Sequence, residues 1–266
     1  MIGDRIFKLI LTVFILAMSS VSFGFSLNDP VGAQPVHDFE IVAKFSKDVE
    51  RLLASKRARI AIISRAGRHE GELPDGVEFT HVGLAVYSTI TDSHGRKYNG
   101  YAIHNLYQRE DALDKSELVQ DFPFDFYRSA TTLKTGIIIP NDALQSRLLN
   151  VIQSGGFQRL HNPDYSAIAN PFNNRKQNCT ELVLNVLQSA IYQTEDLVEI
   201  KTSIKEHFDP YKIAFNPVKI IIGAAFSREI SATDHDGTFM TTTWTSIKHY
   251  MQKFNLASEV VRIDRT

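Results

Sequence analysis

The stretch Thr80-His81-Val82-Gly83-Leu84-Ala85-Val86-Tyr87 decides how this chain folds. It is the larger part of an apolar run from Phe79 to Tyr87, and a second such run spans Lys97 to Leu106. Between them lies Thr91-Asp92-Ser93-His94-Gly95-Arg96, a turn by composition. Two strand-like runs around a turn cluster predict a β-hairpin. Gly83 falls on the same strand face as His81, two residues away, and leaves that face open to another element. His104 and Asn105 lie on the returning strand, so the hairpin offers His81 a neighbouring polar residue.

Working outward, Phe39, Val42, Phe45, Val49, Leu52 and Leu53 recur in steps that predict a helix. Arg59–Ser64 reads as a buried strand and Arg65–Asp75 as a polar loop. Downstream, Leu133–Pro140 reads as a strand and Ala143–Gln153 as a helix. Residues 161–177 are irregular, rich in Asn and Pro, and must be held by the rest of the fold. Thr180–Ile191 is a helix, residues 192–216 are helical in part, and Lys219–Phe226 is an apolar strand. Thr241–Phe254 is an amphipathic helix, and Ser258–Ile263 is a last strand. This order predicts an α+β class with a mainly antiparallel sheet packed against helices.

The start of the chain reads as a secretory signal. Arg5 and Lys8 precede the apolar Leu9–Met18, and Ser22-Phe23-Gly24 is a plausible cleavage point. The apolar stretch is short for a membrane span, which takes roughly 20 residues. The expectation is a signal peptide over 1–24, a linker over 25–36, and a single domain over 37–266. The mature protein would then be exported, periplasmic or secreted, with no transmembrane helix. Net charge is −1, without the basic cluster that marks a nucleic-acid surface.

One cysteine occurs in 266 residues, in Gln177-Asn178-Cys179-Thr180-Glu181. A lone cysteine forms no internal disulfide, so the thiol is either buried filler or a reactive group. Asn178 is a strong N-cap residue, with Glu181 at the capping-box position. Cys179 is then the first helical residue, beside unpaired N–H groups and the positive end of the helix dipole. Both favour thiolate, the nucleophilic form, and the same N–H groups suit an oxyanion. Against this, Cys179 lies four residues before Val183 on the edge of the buried stripe, and cysteine is a common core residue. A thiol nucleophile needs a base, and of nine histidines His81 and His104 are the best placed. His37, His69, His94, His161 and His207 read as solvated. Asp234-His235-Asp236-Gly237 reads as a polar turn. No zinc-ligand spacing, phosphate loop or Gly-x-Ser-x-Gly elbow occurs, so neither metal nor cofactor is expected.

Thr80-His81-Val82-Gly83 followed by Asn178-Cys179-Thr180-Glu181-Leu182-Val183 resembles the circularly permuted branch of the NlpC-type papain-like superfamily, in which the strand histidine precedes the helix-start cysteine. More closely, the chain resembles the bacterial family called domain of unknown function 2145. The matching stretches are Ile62–Gly67, Phe79–Gly83, Ile103–Leu106, Tyr165-Ser166, Ala169–Phe172, Gln177–Glu181 and Ser231–Asp236. The superfamily resemblance implies thiol chemistry on amide, ester or thioester carbonyls, with cell-envelope peptides, lipids or acylated proteins as substrates. By position it implies Cys179 as nucleophile, His81 as base and His104, or Asn105 beside it, as the third residue. Gln177 and Asn178 are oxyanion candidates, and Tyr165, with Phe172 and Arg65, a cleft candidate. The alternative is a binding or assembly protein that keeps the fold without turnover, in which Arg65, Asn170, Gln177 and Asn178 hold loops.

Overall fold

The computed structural model describes residues 36–69, 73–91, 94–213 and 230–265. The expected signal, all of the linker but Val36, and the strand Lys219–Phe226 lie outside the described residues. A helix α1 (Phe39–Ser55) leads into β1 (Ile60–Arg65), β2 (His81–Thr91), β3 (Lys97–Gln108) and β4 (Ser116–Asp121). Then come α2 (Pro123–Arg128), β5 (Lys134–Pro140), α3 (Asp142–Gln153) and α4 (Gly156–Arg159). The C-terminal part holds α5 (Cys179–Tyr192), α6 (Leu197–His207), β6 (Tyr211–Lys212), β7 (Met240–Thr241), α7 (Trp244–Lys253) and β8 (Ala257–Asp264). Six strands form one sheet in the order β4-β3-β2-β1-β5-β8, and every neighbouring pair is antiparallel. The mixed class and the antiparallel sheet are as expected.

The sheet is covered on both faces, which explains why β1 and β5 read as unbroken apolar runs and not as alternation. Along β1, Ile60 and Ile62 pack with α3, α5 and α7, while Ala61 and Ile63 pack with α1 and α2. The same parity divides β2: Val82, Leu84 and Val86 face α5, and Ala85 faces α1. Beyond Val86 the β2–β3 hairpin leaves this cover and alternates, with Tyr87 and Tyr98 exposed. The hairpin keeps its register from Leu84–His104 to Thr91–Lys97.

Five short elements escaped the sequence reading: β4, α2, α4 and the two-residue strands β6 and β7. The edge strand β4 is only half-buried and lacks a strong period, and α2 is a six-residue helix with Pro123 at its start. Helix α7 docks on the sheet where Gly136 of β5 leaves space. A Cβ there would fall into the Trp244 and Phe79 rings, which meet edge-on with centroids 5.0 Å apart. Gly136→Ala is therefore expected to cost about 1–3 kcal/mol through overpacking. Denaturant unfolding followed by the fluorescence of Trp244, the sole tryptophan, checks this. Unchanged stability would show that the ring contact is loose.

Candidate active site at the start of helix α5

Asn178 starts α5 as expected, and its side chain does more than cap. Its Oδ1 accepts the Glu181 N–H at 2.9 Å and lies 2.8 Å from the Thr180 hydroxyl. Its Nδ2 donates to the Ala167 carbonyl at 3.0 Å and to Thr241 Oγ1 at 3.2 Å. The Thr180 hydroxyl also lies 2.8 Å from the Thr242 carbonyl oxygen. These bonds tie the helix start to two separate chain segments. They also commit both ends of the amide, so Asn178 is not available as an oxyanion donor.

Gln177 is committed in the same way. It accepts the Asn162 N–H at 2.9 Å and donates to the Leu160 carbonyl at 3.0 Å. Tyr165 bridges Gln177 through its backbone, and its side chain is buried in the core rather than in the cleft beside Cys179. Both residues hold the irregular segment in place. Arg65 and Phe172 do not line that cleft either. Asp234 fixes the same irregular segment: its carboxylate accepts the Asn170 N–H, and its carbonyl accepts from the Asn170 and Asn173 side chains. His235 next to it is buried and bonds the Ile168 carbonyl at 2.9 Å. His161, expected in solvent, is half-buried with Nε2 3.0 Å from the Ser116 hydroxyl. Burial lowers its pKa.

Cys179 is buried, with its sulfur 4.0 Å from the carbonyl oxygen of Thr80, the residue immediately before His81. The helix start and the strand start therefore meet at one end of the sheet. A narrow cleft opens there, walled by Val77, Phe79, Ile168, Ile213, Cys179 and Thr242 among others, with a volume of about 40 Å³. His81 does not line it. The His81 ring lies in the layer beneath α2, stacked on Tyr107 with centroids 4.6 Å apart and near Phe126 at 5.5 Å.

The polar partner of His81 is Asn105, whose Oδ1 lies 3.1 Å from Nε2. The Asn105 NH₂ has acceptors at the Ile103 and Val119 carbonyls and at Asp121 Oδ2. Those acceptors orient the amide so that its oxygen faces the ring. Nε2 then carries the proton that Asn105 Oδ1 accepts. Gly83 makes this possible, because a Cβ there would sit 3.4 Å from Asn105 Cβ and 3.0 Å from Ile103 Cγ2. Burial, then the charge of Arg65, holds the His81 pKa well below 6.5, partly offset by Asn105. The imidazole is therefore neutral at physiological pH. His104 takes the opposite face of β3, edge-on to Phe157 at 5.7 Å, so it does not orient His81. Strand alternation separates the two adjacent candidates, and the fixed register selects Asn105.

Glu181 does not turn back to close a capping box. Its fully buried carboxylate meets Lys201 of α6, Nζ to Oε1 2.6 Å, and Lys201 also reaches Asn185 Oδ1 at 3.0 Å. Sequence reading assigned Glu181 to the cap and had no signal for Lys201, which is remote in the chain and packed by α6.

The model of a family described as an uncharacterized protein conserved in bacteria (DUF2145) matches residues 52–251, and the chain belongs to that family. No curated protein and no solved structure matches it. No helix among the described residues is long and apolar enough to cross a membrane.

Burial pushes the Glu181 carboxyl up to about 7 against the opposing pull of Lys201. A folded-state pKa above the unfolded value means that stability from this group is present below that unfolded value and is lost as pH rises through the folded pKa. Lys201→Met removes the compensating charge, with an expected cost of about 3–5 kcal/mol. The loss should be largest at pH 8 and smaller at pH 5, where the carboxyl can take up a proton. Urea unfolding of both proteins at the two pH values tests this, and a pH-independent loss would contradict it.

Proposed function

We propose that the protein is an exported thiol hydrolase or acyltransferase of permuted papain-like type, acting on an amide, ester or thioester in the cell envelope. Cys179 is the nucleophile, His81 the base and Asn105 the residue that orients the base. The observation that carries this reading is the 3.1 Å bond from His81 Nε2 to Asn105. It fixes the ring of the residue next to Thr80, whose carbonyl the Cys179 sulfur approaches. A histidine, its orienting amide and a thiol come to one sheet end, the first two on its α2 face and the thiol on its α5 face. Nucleophilic catalysis therefore requires the His81 ring to reach across that end.

In this mechanism His81 takes the thiol proton as sulfur attacks the carbonyl carbon. A C–S bond forms and the carbonyl π pair moves onto oxygen. Collapse of that adduct re-forms the carbonyl and expels the leaving group, which takes the proton from His81. Water or another acceptor then attacks the thioester by the same path and restores the thiol. The helix-start N–H groups at Cys179 face the developing negative charge.

A second reading, a binding or assembly protein that keeps the fold without turnover, draws support from the burial of Cys179 and the absence of His81 from the cleft walls. A thiol-directed activity probe separates the two. Labelling is expected at Cys179, slower by on the order of 10²-fold in His81→Ala, with a smaller loss in Asn105→Ala. Equal labelling of all three proteins would favour the non-catalytic reading.

A further inference from the structure

The Cys179 cleft holds a polar group that neither the fold nor the capping network uses. Thr242 lies in its wall and is 3% exposed, and among the described residues its hydroxyl has no hydrogen-bond partner. Buried hydroxyls without partners are uncommon in folded proteins and costly to maintain. Its neighbours show the contrast. Thr241 accepts from Asn178, and Thr243 caps α7 in a closed capping box. The Thr242 backbone is equally well fixed, because its carbonyl accepts from the Thr180 hydroxyl, one residue beyond Cys179. An unspent donor on a fixed backbone thus lies in the wall of the cleft that also holds the thiol, while the amides of Gln177 and Asn178 are occupied elsewhere.

Among the described residues, no charged side chain lines this cleft. Among the described residues its walls are apolar side chains, threonines, Tyr211, Asn178 and the thiol. Its volume of about 40 Å³ is room for roughly three water-sized groups. A carboxylate or ammonium would enter it without a counter-charge, at a large desolvation cost.

We infer that Thr242 donates its hydroxyl hydrogen to the carbonyl oxygen of a short, uncharged acyl group held in this cleft and attacked by Cys179. This rests on the thiol reading above and adds its oxyanion donor and acyl class. As sulfur bonds to the acyl carbon, the carbonyl oxygen gains the displaced electron pair, and the Thr242 bond strengthens with that charge. When the adduct collapses, the leaving group departs with the proton held by His81, and the acyl group remains as a thioester on Cys179. Water then releases the short acid.

The test measures acetylation of Cys179 by p-nitrophenyl acetate in the full chain, alongside alkylation by iodoacetamide, which forms no oxyanion. Thr242→Val should slow acetylation on the order of 10²-fold and leave alkylation unchanged, while Thr242→Ser should retain the wild-type acetylation rate. The singly charged p-nitrophenyl succinate should react more slowly than the acetate. Wild-type acetylation that depends on His81 but is indifferent to Thr242→Val would overturn the role of Thr242 and leave the thiol reading standing. Equal loss of acetylation and alkylation in Thr242→Val would also overturn it, as a packing defect. If Cys179 of the wild type is not acetylated at all, this inference and the thiol reading both fail.

Discussion

Everything placed around Cys179 depends on the Asn178 side chain. Its oxygen satisfies a free N–H at the start of α5, and its nitrogen reaches Ala167 and Thr241. Capping is worth about 1 kcal/mol, and each buried amide bond adds about the same. Position matters more than that sum. One short side chain fixes the helix start against the irregular segment on one side and the approach to α7 on the other. Cys179 follows directly, with no freedom to sit elsewhere.

The second constraint is that α5 is buried on all sides from Cys179 to Ala190. Such a helix is ordinarily apolar all round, yet this one carries Glu181, Asn185 and Gln188 at one-turn spacing along one stripe. Lys201 and Ser203 of α6 answer that stripe with buried polar contacts. Isolated charges there would be prohibitive, and the pair offsets that cost only in one geometry. The docking of α6 is therefore specified by polar matching as well as by Ile200 and Ile204. This holds α5 in a single orientation relative to the sheet end.

How much of this was legible in the sequence depended on whether the signal was local. The hairpin, the central strands, α5 and its Asn178 cap all announce themselves within a few residues. The choice between His104 and Asn105 did not, because adjacent strand residues differ only in face, and the face is set by register with β2. Gln177 and Tyr165 were read as site residues because they adjoin Cys179 or a motif. The fold uses them to hold a segment that has no propensity of its own. Lys201 and Thr242 lay beyond reach, since their roles arise from elements remote in the chain. The folded packing alone reveals that one hydroxyl of a threonine run has no partner.

The neutral His81 imidazole is the point where this account meets experiment most directly. A neutral imidazole, although its lowered pKa makes it a weaker base, can assist Cys179 at pH values below the ordinary thiol pKa of about 8.5, where an unassisted thiol reacts slowly. With a single cysteine in the chain, the pH dependence of iodoacetamide alkylation reports on that thiol alone. The account predicts substantial reactivity near pH 7 with an acid limb below pH 6.5, both lost in His81→Ala, which should rise only toward the ordinary thiol value. A wild-type profile with one ordinary thiol titration, unchanged in His81→Ala, would contradict it.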